Sequence, residues 1–215
     1  MIPILLATIV GYLLGAIPFA VIVARAHGVD ILKVGSGNPG ATNVKRMVGR
    51  KAGNLVFFLD VAKGFVATVL PYLWSGWFAL EGENAADHLA VVGLLGAIFG
   101  HSFSIFLRGR GGKGVAVTIG GLSALIPIPL IIGLVVWAVC FYVTGYVSLA
   151  SLALALSLPF SVWHFYDDLV FRVLAVALAA IIFIRHGKNI QSLLTGQEHR
   201  FGKKPEDPPP PPPSA

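Results

Sequence analysis

Charge is scarce in this chain. Asp, Glu, Lys and Arg make up 12% of its 215 residues, about half the share found in soluble globular proteins. That shortage excludes an ordinary water-soluble domain. Cysteine is all but missing: Cys140 stands alone in an apolar run, so there is neither a disulfide framework nor a cysteine-based metal site. Aspartates do not cluster, which argues against metal-bridged chemistry. The opening Met1-Ile2-Pro3 carries no basic residue, and no small-residue cleavage site precedes a mature domain. These residues predict the start of a first membrane span rather than a removed leader.

What fills the chain is apolar sequence. Hydrophobic residues reach 56% and the mean hydropathy is +0.80, which predicts an all-α membrane protein of several helices. Apolar runs place spans near residues 4–24, 54–74, 88–107, 147–163 and 169–184. Residues 115–142 are apolar too, but Pro127 and Pro129 interrupt them. The two prolines predict short broken helices, a fourth and a fifth span of similar length. The expectation is therefore seven transmembrane helices in one domain, residues 1–204. A disordered proline-rich tail follows at 205–215. Trp74 and Trp77 suit an interfacial belt.

Charge placement supports the count. The first loop holds Arg25, Lys33, Lys45, Arg46, Arg50 and Lys51, the second only the acids Glu81, Glu83 and Asp87. The third is basic (Arg108, Arg110, Lys113), the Pro127 turn and the Thr144 turn are neutral, the sixth carries Asp167 and Asp168, and the tail is basic again. Positive charge on every second loop predicts an outward N-terminus and a cytoplasmic C-terminus. Because the +6 net charge is spread over loops between spans, nucleic acid is not an expected partner.

Two of the basic loops hold more than topology requires. Residues 35–46 read Gly35-Ser36-Gly37-Asn38-Pro39-Gly40-Ala41-Thr42-Asn43-Val44-Lys45-Arg46, and residues 108–114 read Arg108-Gly109-Arg110-Gly111-Gly112-Lys113-Gly114. Glycines let backbone N–H groups converge on an anion, and guanidinium or ammonium groups bind phosphate oxygens. A positive-inside signal needs Lys and Arg but not Ser-Gly-Asn-Pro-Gly or Gly-Gly-Lys-Gly. A third cluster, Arg185-His186-Gly187-Lys188-Asn189, lies on the same predicted face. Together they predict one composite anion site at a membrane surface.

Several familiar patterns fail. Gly109-x-Gly111-x-x-Gly114 matches the dinucleotide fingerprint by letters but follows a span instead of a strand. Gly112-Lys113 is followed by Gly114 where a P-loop needs Ser or Thr for magnesium. His164 has Leu169, not Asp, five residues on, so the catalytic pair of soluble-type glycerolipid acyltransferases is missing, as is the aspartate cluster of CDP-alcohol phosphotransferases. Other residues have two readings. His101 either orients Arg108 or contacts ligand, or else bridges helices. Asp60 and Lys63, one helical turn apart, are expected to pair structurally. Ser148 and Ser151 start the sixth span, as site donors or as small packing residues.

The three clusters, in this order, resemble the bacterial acyl phosphate:glycerol-3-phosphate acyltransferases (the PlsY family). The likeness rests on residues 35–44, on Gly111-Gly112-Lys113-Gly114-Val115-Ala116, and on His186-Gly187-Lys188-Asn189 with Gly196 and Glu198. It covers everything except the proline tail. It implies a multi-pass enzyme of the bacterial inner membrane with its active site on the cytoplasmic face. Such an enzyme transfers an acyl group from acyl phosphate to the 1-hydroxyl of glycerol 3-phosphate, in phospholipid synthesis, without a cofactor. Membrane lipid surrounds it, and a monomer is the expected unit. The resemblance assigns Ser36, Arg46, Lys113, His186 and Asn189 to catalysis. It places Asn38 beside them and assigns Gly111, Gly112 and Gly114 to phosphate binding; Gly37, Asn43, Lys188 and, on its ligand-contacting reading, His101 are expected to join them as substrate-binding residues. Ser151, favoured over Ser148 by spacing, joins them, and Glu198 is structural. Two positions depart from the family pattern: Ser104 where proline is expected and Gly109 where an aromatic is expected. Both sit beside the second motif.

Acyl phosphate is an anhydride with a good leaving group, so no acyl-enzyme is needed. His186 is one candidate base; a substrate phosphate oxygen, the route the resemblance implies, is the other. Two other classes fit the same loops: an organic-phosphate transporter, against which stand the lack of an internal repeat and of mid-membrane cations, and a phosphatase that accepts water.

Overall fold

The computed structural model describes residues 1–78, 80, 82 and 84–201. Glu81 and Glu83 of the acidic loop and the proline tail lie outside the described residues. The described residues form helices joined by turns, without a strand: α1 (Ile2–Ala16), α2 (Phe19–Ala26), α3 (Ala41–Met47), α4 (Arg50–Ser75), α5 (Ala85–Ser102), α6 (Val115–Leu125), α7 (Pro127–Thr144), α8 (Val147–Phe165), α9 (Leu169–Arg185) and α10 (Gly187–Leu194). Among the described residues five segments are long and apolar enough to cross a membrane: Ile2–Ala26, Arg50–Ser75, Ala85–Leu107, Pro127–Thr144 and Val147–Phe165. The α9–α10 pair, bent by 61°, makes a sixth if taken as one span.

The first span is not one helix, as its hydropathy suggested. Pro18 lacks an N–H and pushes Ile17 to an extended ψ of 117°, separating α1 from α2. The freed carbonyls find donors elsewhere. Ser104 Oγ donates to Ala16 O at 2.6 Å and Lys63 Nζ to Ile17 O at 2.9 Å. Lys63 also meets Asp60 Oδ1 at 2.8 Å, with both side chains about 3% exposed. The expected Asp60–Lys63 pair is there, and its lysine satisfies a carbonyl at the helix break, as backbone in a membrane protein must be satisfied within the protein.

The proline pair acts at one end only. Ile126 takes a non-helical φ of −139° and ends α6 after 11 residues. Pro127 and Pro129 then lie in the first turn of α7, where a missing N–H costs nothing. So α7 runs 18 residues and is not the short mate of α6 that the sequence predicted. At about 1.5 Å per residue, α6 is roughly 16 Å long, about half of a hydrocarbon core.

Small residues set the helix spacing. On α1, Gly11 and Gly15 abut Gly93 and Ala97 of α5; Gly96 and Gly100 of α5 abut Thr8 and Tyr12 in return. Gly64 of α4 and Gly120 of α6 meet Val117 and Val61 likewise. Among apolar lipids, such close backbone packing replaces the hydrophobic drive that holds soluble bundles together. Between these helices, Leu94, Leu122, Leu154, Leu158, Leu174 and Leu178 form the main core. A second cluster around Val21, Ile31, Val44 and Val56 anchors the first loop and α3. The glycine- and proline-rich first half of residues 35–46 is irregular, and the chain turns helical at Ala41 once past Pro39 and Gly40.

Candidate active site

The site is built where α9 stops. His186 N–H closes onto Ile182 O and Phe183 O, and the chain bends into α10. This puts Asn189 one turn into α10, facing the loop between α5 and α6. Lys113 Nζ donates to Asn189 Oδ1. The Asn189 amide nitrogen donates to both oxygens of Glu198, at 2.9 and 3.1 Å. Glu198 Oε1 also accepts from Ser148 Oγ at 2.8 Å. The amide orientation of Asn189 is thereby fixed, oxygen to the ammonium and nitrogen to the carboxylate. The line Lys113–Asn189–Glu198–Ser148 ties the α5–α6 loop, α10 and the start of α8 together.

Cations surround this line. Burial is the main force on Lys113. The Glu198 carboxylate opposes it, while Arg46 and Arg185 add to it, and the ammonium is pushed down to about 8. Arg46 is likewise lowered by burial, with Glu198 opposing. Its guanidinium lies 5.1 Å from the Phe201 ring centroid, and its buried Nε has no hydrogen-bond partner among the described residues. Arg185 donates to Gly111 O at 2.9 Å and to Gly112 O at 2.8 Å. These two bonds engage the loop's carbonyls. His186 lies beyond α9, 3% exposed. Burial and then Lys113 push it down to about 4, so the ring is neutral. Its Nδ1–H donates to Ile182 O at 2.8 Å, leaving Nε2 as the free acceptor. Three cations against one carboxylate leave an excess of positive charge where donors remain unused, which suits a phosphate ester.

The first loop is shaped from within. Asn43, 2% exposed, donates to Ile31 O and Val34 O at 3.2 and 3.1 Å and accepts Ser36 N–H at 3.1 Å. All its described hydrogen bonds go to loop backbone. Gly35 and Gly37 take φ of 59° and 65°, which L side chains rarely adopt. Ser36 is exposed, its Oγ 3.4 Å from the Asn38 N–H that donates to it. The loop and the second motif line one small cavity of about 10 Å³, through Pro39, Gly111, Gly112 and His101. There is no space for a side chain on Gly111 or Gly112, which press against His101 and Ser102. Gly112 N–H donates to His101 O at 3.0 Å. His101 Nδ1 lies 3.8 Å from Asp60. Gly114, at φ 83°, starts α6.

The predicted residues are thus brought together unevenly. Asn189 is hydrogen-bonded to both Lys113 and Glu198, Arg46 acts on the same charges, and His186 feels Lys113. Ser36, Gly37 and Asn38 lie on the loop that carries Arg46, without a described hydrogen bond to that cluster. Lys188 is exposed on α10. Of the two serines, Ser148 reaches Glu198, whereas Ser151 donates to Val147 O at 2.8 Å and accepts from Trp137 Nε1 at 3.3 Å. Arg185 was read in the sequence only as a basic neighbour of His186. Its adjacency to that motif was the one signal of its clamp on Gly111 and Gly112. Among the described residues no group of three His, Cys, Asp or Glu side chains stands ready for a metal.

Comparisons with known proteins agree with one another. The sequence profile described as glycerol-3-phosphate acyltransferase matches residues 5–196. A glycerol-3-phosphate acyltransferase of Aquifex aeolicus is 39% identical over 92% of this chain and 98% of its own length. Glycerol-3-phosphate acyltransferase 1 of Deinococcus radiodurans is 41% identical over 93% and 96%. The crystal structure of PlsY (YgiH), an integral membrane glycerol 3-phosphate acyltransferase, in its glycerol 3-phosphate form, superposes with a TM-score of 0.83 at 38% identity, covering 93% of this chain and 96% of that one. Its lysophosphatidic acid form gives 0.80 at 37%.

Proposed function

This chain belongs to the glycerol-3-phosphate acyltransferase family, and from that premise we propose that it takes its acyl group from an acyl phosphate. The observation that carries the reading is the Lys113–Asn189–Glu198–Ser148 line flanked by Arg46 and Arg185. Three cations against one carboxylate leave about two positive charges, which one phosphate ester dianion balances. The donor's phosphate is then assigned to the first loop, where the exposed Ser36 hydroxyl stands.

In the reaction, the 1-hydroxyl oxygen of glycerol 3-phosphate attacks the carbonyl carbon of the acyl phosphate. A carbon–oxygen ester bond forms, the carbon–oxygen bond to phosphate breaks, and lysophosphatidate and inorganic phosphate leave. Lys113 holds the acceptor phosphate on a loop that Arg185 clamps through the Gly111 and Gly112 carbonyls, and Arg46 neutralises the departing one while the Ser36 hydroxyl donates to it. Most of the acceleration then comes from alignment and from donors already in place. The hydroxyl proton passes to a substrate phosphate oxygen. His186 is neutral, but its buried Nε2 serves better to hold a substrate hydroxyl than to shuttle protons to water. Asn43 acts here through the loop, and His101 through Gly112.

The reading places seven spans in the bacterial inner membrane, α6 being the short fourth, with the N-terminus outside and the site on the cytoplasmic face. The acyl chain enters from the lipid, and one copy of the chain suffices. The test is phosphate release from acyl phosphate by the purified protein in lipid. Release that requires glycerol 3-phosphate, gives lysophosphatidate and collapses in Ser36→Ala and Lys113→Ala is the expected result. Release without the acceptor would make it a phosphatase. Absence of release with and without the acceptor would restore the transporter.

A further inference from the structure

A second cavity, of about 320 Å³, is lined by Arg25, Leu32, Phe106, Leu107, Arg108 and Arg110. It shares only Leu107 with the small cavity beside the reaction cluster. Arg25 ends α2, and the other two arginines come from the turn after α5. Among the described residues none of the three guanidiniums makes an ion pair or lies over an aromatic ring. The nearby acid Asp30 is engaged by Lys33 at 3.5 Å.

The turn that carries the arginines is a built structure. Leu107 N–H and Gly109 N–H both donate to Ser104 O at 3.1 and 2.9 Å, and Ser104 N–H donates to Arg110 O at 3.1 Å. The Ser104 hydroxyl is fastened to Ala16 O. Arg108 sits at φ 54°, the one left-handed non-glycine among the described residues, a conformation L side chains adopt seldom and only when their surroundings enforce it. Beside the guanidiniums, Ile105 and Phe106 are 61% and 59% exposed. Leu32, Phe106 and Leu107 supply an apolar wall.

We infer that this cavity binds the phosphate headgroup of an anionic membrane lipid. Three unpaired guanidiniums recognise phosphate oxygens, bidentately where the planes align. The apolar wall and the exposed Ile105 and Phe106 fit the glycerol and upper acyl carbons, which a free ion lacks. The volume, at the lower end for ligand pockets, holds a phosphoglycerol head and exceeds one inorganic phosphate. Lys113, Asn189 and Glu198 line none of it, so the site stands apart from the proposed reaction and does not depend on it.

The test uses the full chain purified in neutral detergent. Retention of phosphatidylglycerol and of phosphatidylcholine is counted by native mass spectrometry, with and without millimolar inorganic phosphate. One phosphatidylglycerol held at least about tenfold more tightly than phosphatidylcholine is expected, with that preference lost in Arg25→Gln/Arg108→Gln/Arg110→Gln. Arg108→Gln alone should show a partial loss, should the triple variant fold poorly. Equal retention of the two lipids, an unchanged preference in either variant, or full displacement of lipid by inorganic phosphate would overturn the assignment.

Discussion

Two polar clusters lie close together in this protein and are built on opposite terms. Asp60, Lys63 and His101 form the inner one: one acid against one certain base, both about 3% exposed, with a second donor of the lysine taken by the Ile17 carbonyl. The outer one has Lys113, Arg46 and Arg185 against Glu198 alone, with Arg46 Nε unpartnered. A charge-balanced cluster holds helices at a break. An unbalanced one suits an anion. Charge sum, more than residue type or hydrogen-bond satisfaction, tells the two apart, since both contain a lysine, a carboxylate and a histidine nearby and each leaves one buried polar atom without a hydrogen bond among the described residues.

The sharpest way to break the contrast is to unbalance the inner cluster. Asp60→Ala leaves Lys63 buried without its counter-charge and should destabilise the protein by about 3–5 kcal/mol, read as a fall in thermal midpoint in detergent. Asp60→Asn combined with Lys63→Met should recover much of that loss. If Asp60→Ala left stability unchanged but abolished turnover, the inner cluster would belong to the site.

The outer cluster should respond the other way. Lys113→Ala removes a charge the protein alone does not need. It should lower kcat/KM for glycerol 3-phosphate by roughly 10²–10³-fold with little change in thermal midpoint. An equal loss of stability would make Lys113 a structural residue.

A pH profile sharpens the comparison further. Lys113 is held down to about 8 by burial, with Arg46 and Arg185 adding to it, so its charge is full below that pH and is lost as pH rises through it. An ordinary lysine would keep its charge to about 10. Anion affinity, and with it kcat/KM, should therefore fall above pH 8, and Lys113→Arg should move that limb upward. A limb at the same pH in Lys113→Arg would assign it to another group. The smallest effect separates the two serines. Ser148→Ala removes one of the two hydrogen bonds on Glu198 Oε1 and should reduce kcat/KM by roughly tenfold, as loss of a charged hydrogen bond of about 1.5 kcal/mol would, whereas Ser151→Ala should leave it near wild type.

Much of this was legible in the sequence. Hydropathy located the long helices, and the Gly-rich cationic stretches around Ser36 and Lys113 and the His186–Asn189 stretch marked the candidate site, because glycine and clustered charge are costly in a membrane protein unless used. Period and composition do not report what a single proline does in three dimensions, so the break at Ile17 and the full length of α7 were missed. Nor do they report partners distant in the chain.

The sequence by itself determined a helical membrane protein and marked the candidate residues for an anion site, since both follow from local composition. The tertiary structure decided which of those residues touch. Asn189 joins Lys113 to Glu198, Ser148 rather than Ser151 reaches the carboxylate, Asn43 staples its own loop, and Arg185 clamps Gly111 and Gly112. Those outcomes depend on where α9 bends and on which helix faces pack together. Contacts between residues 73 to 76 positions apart are set by that geometry, and no local pattern encodes them.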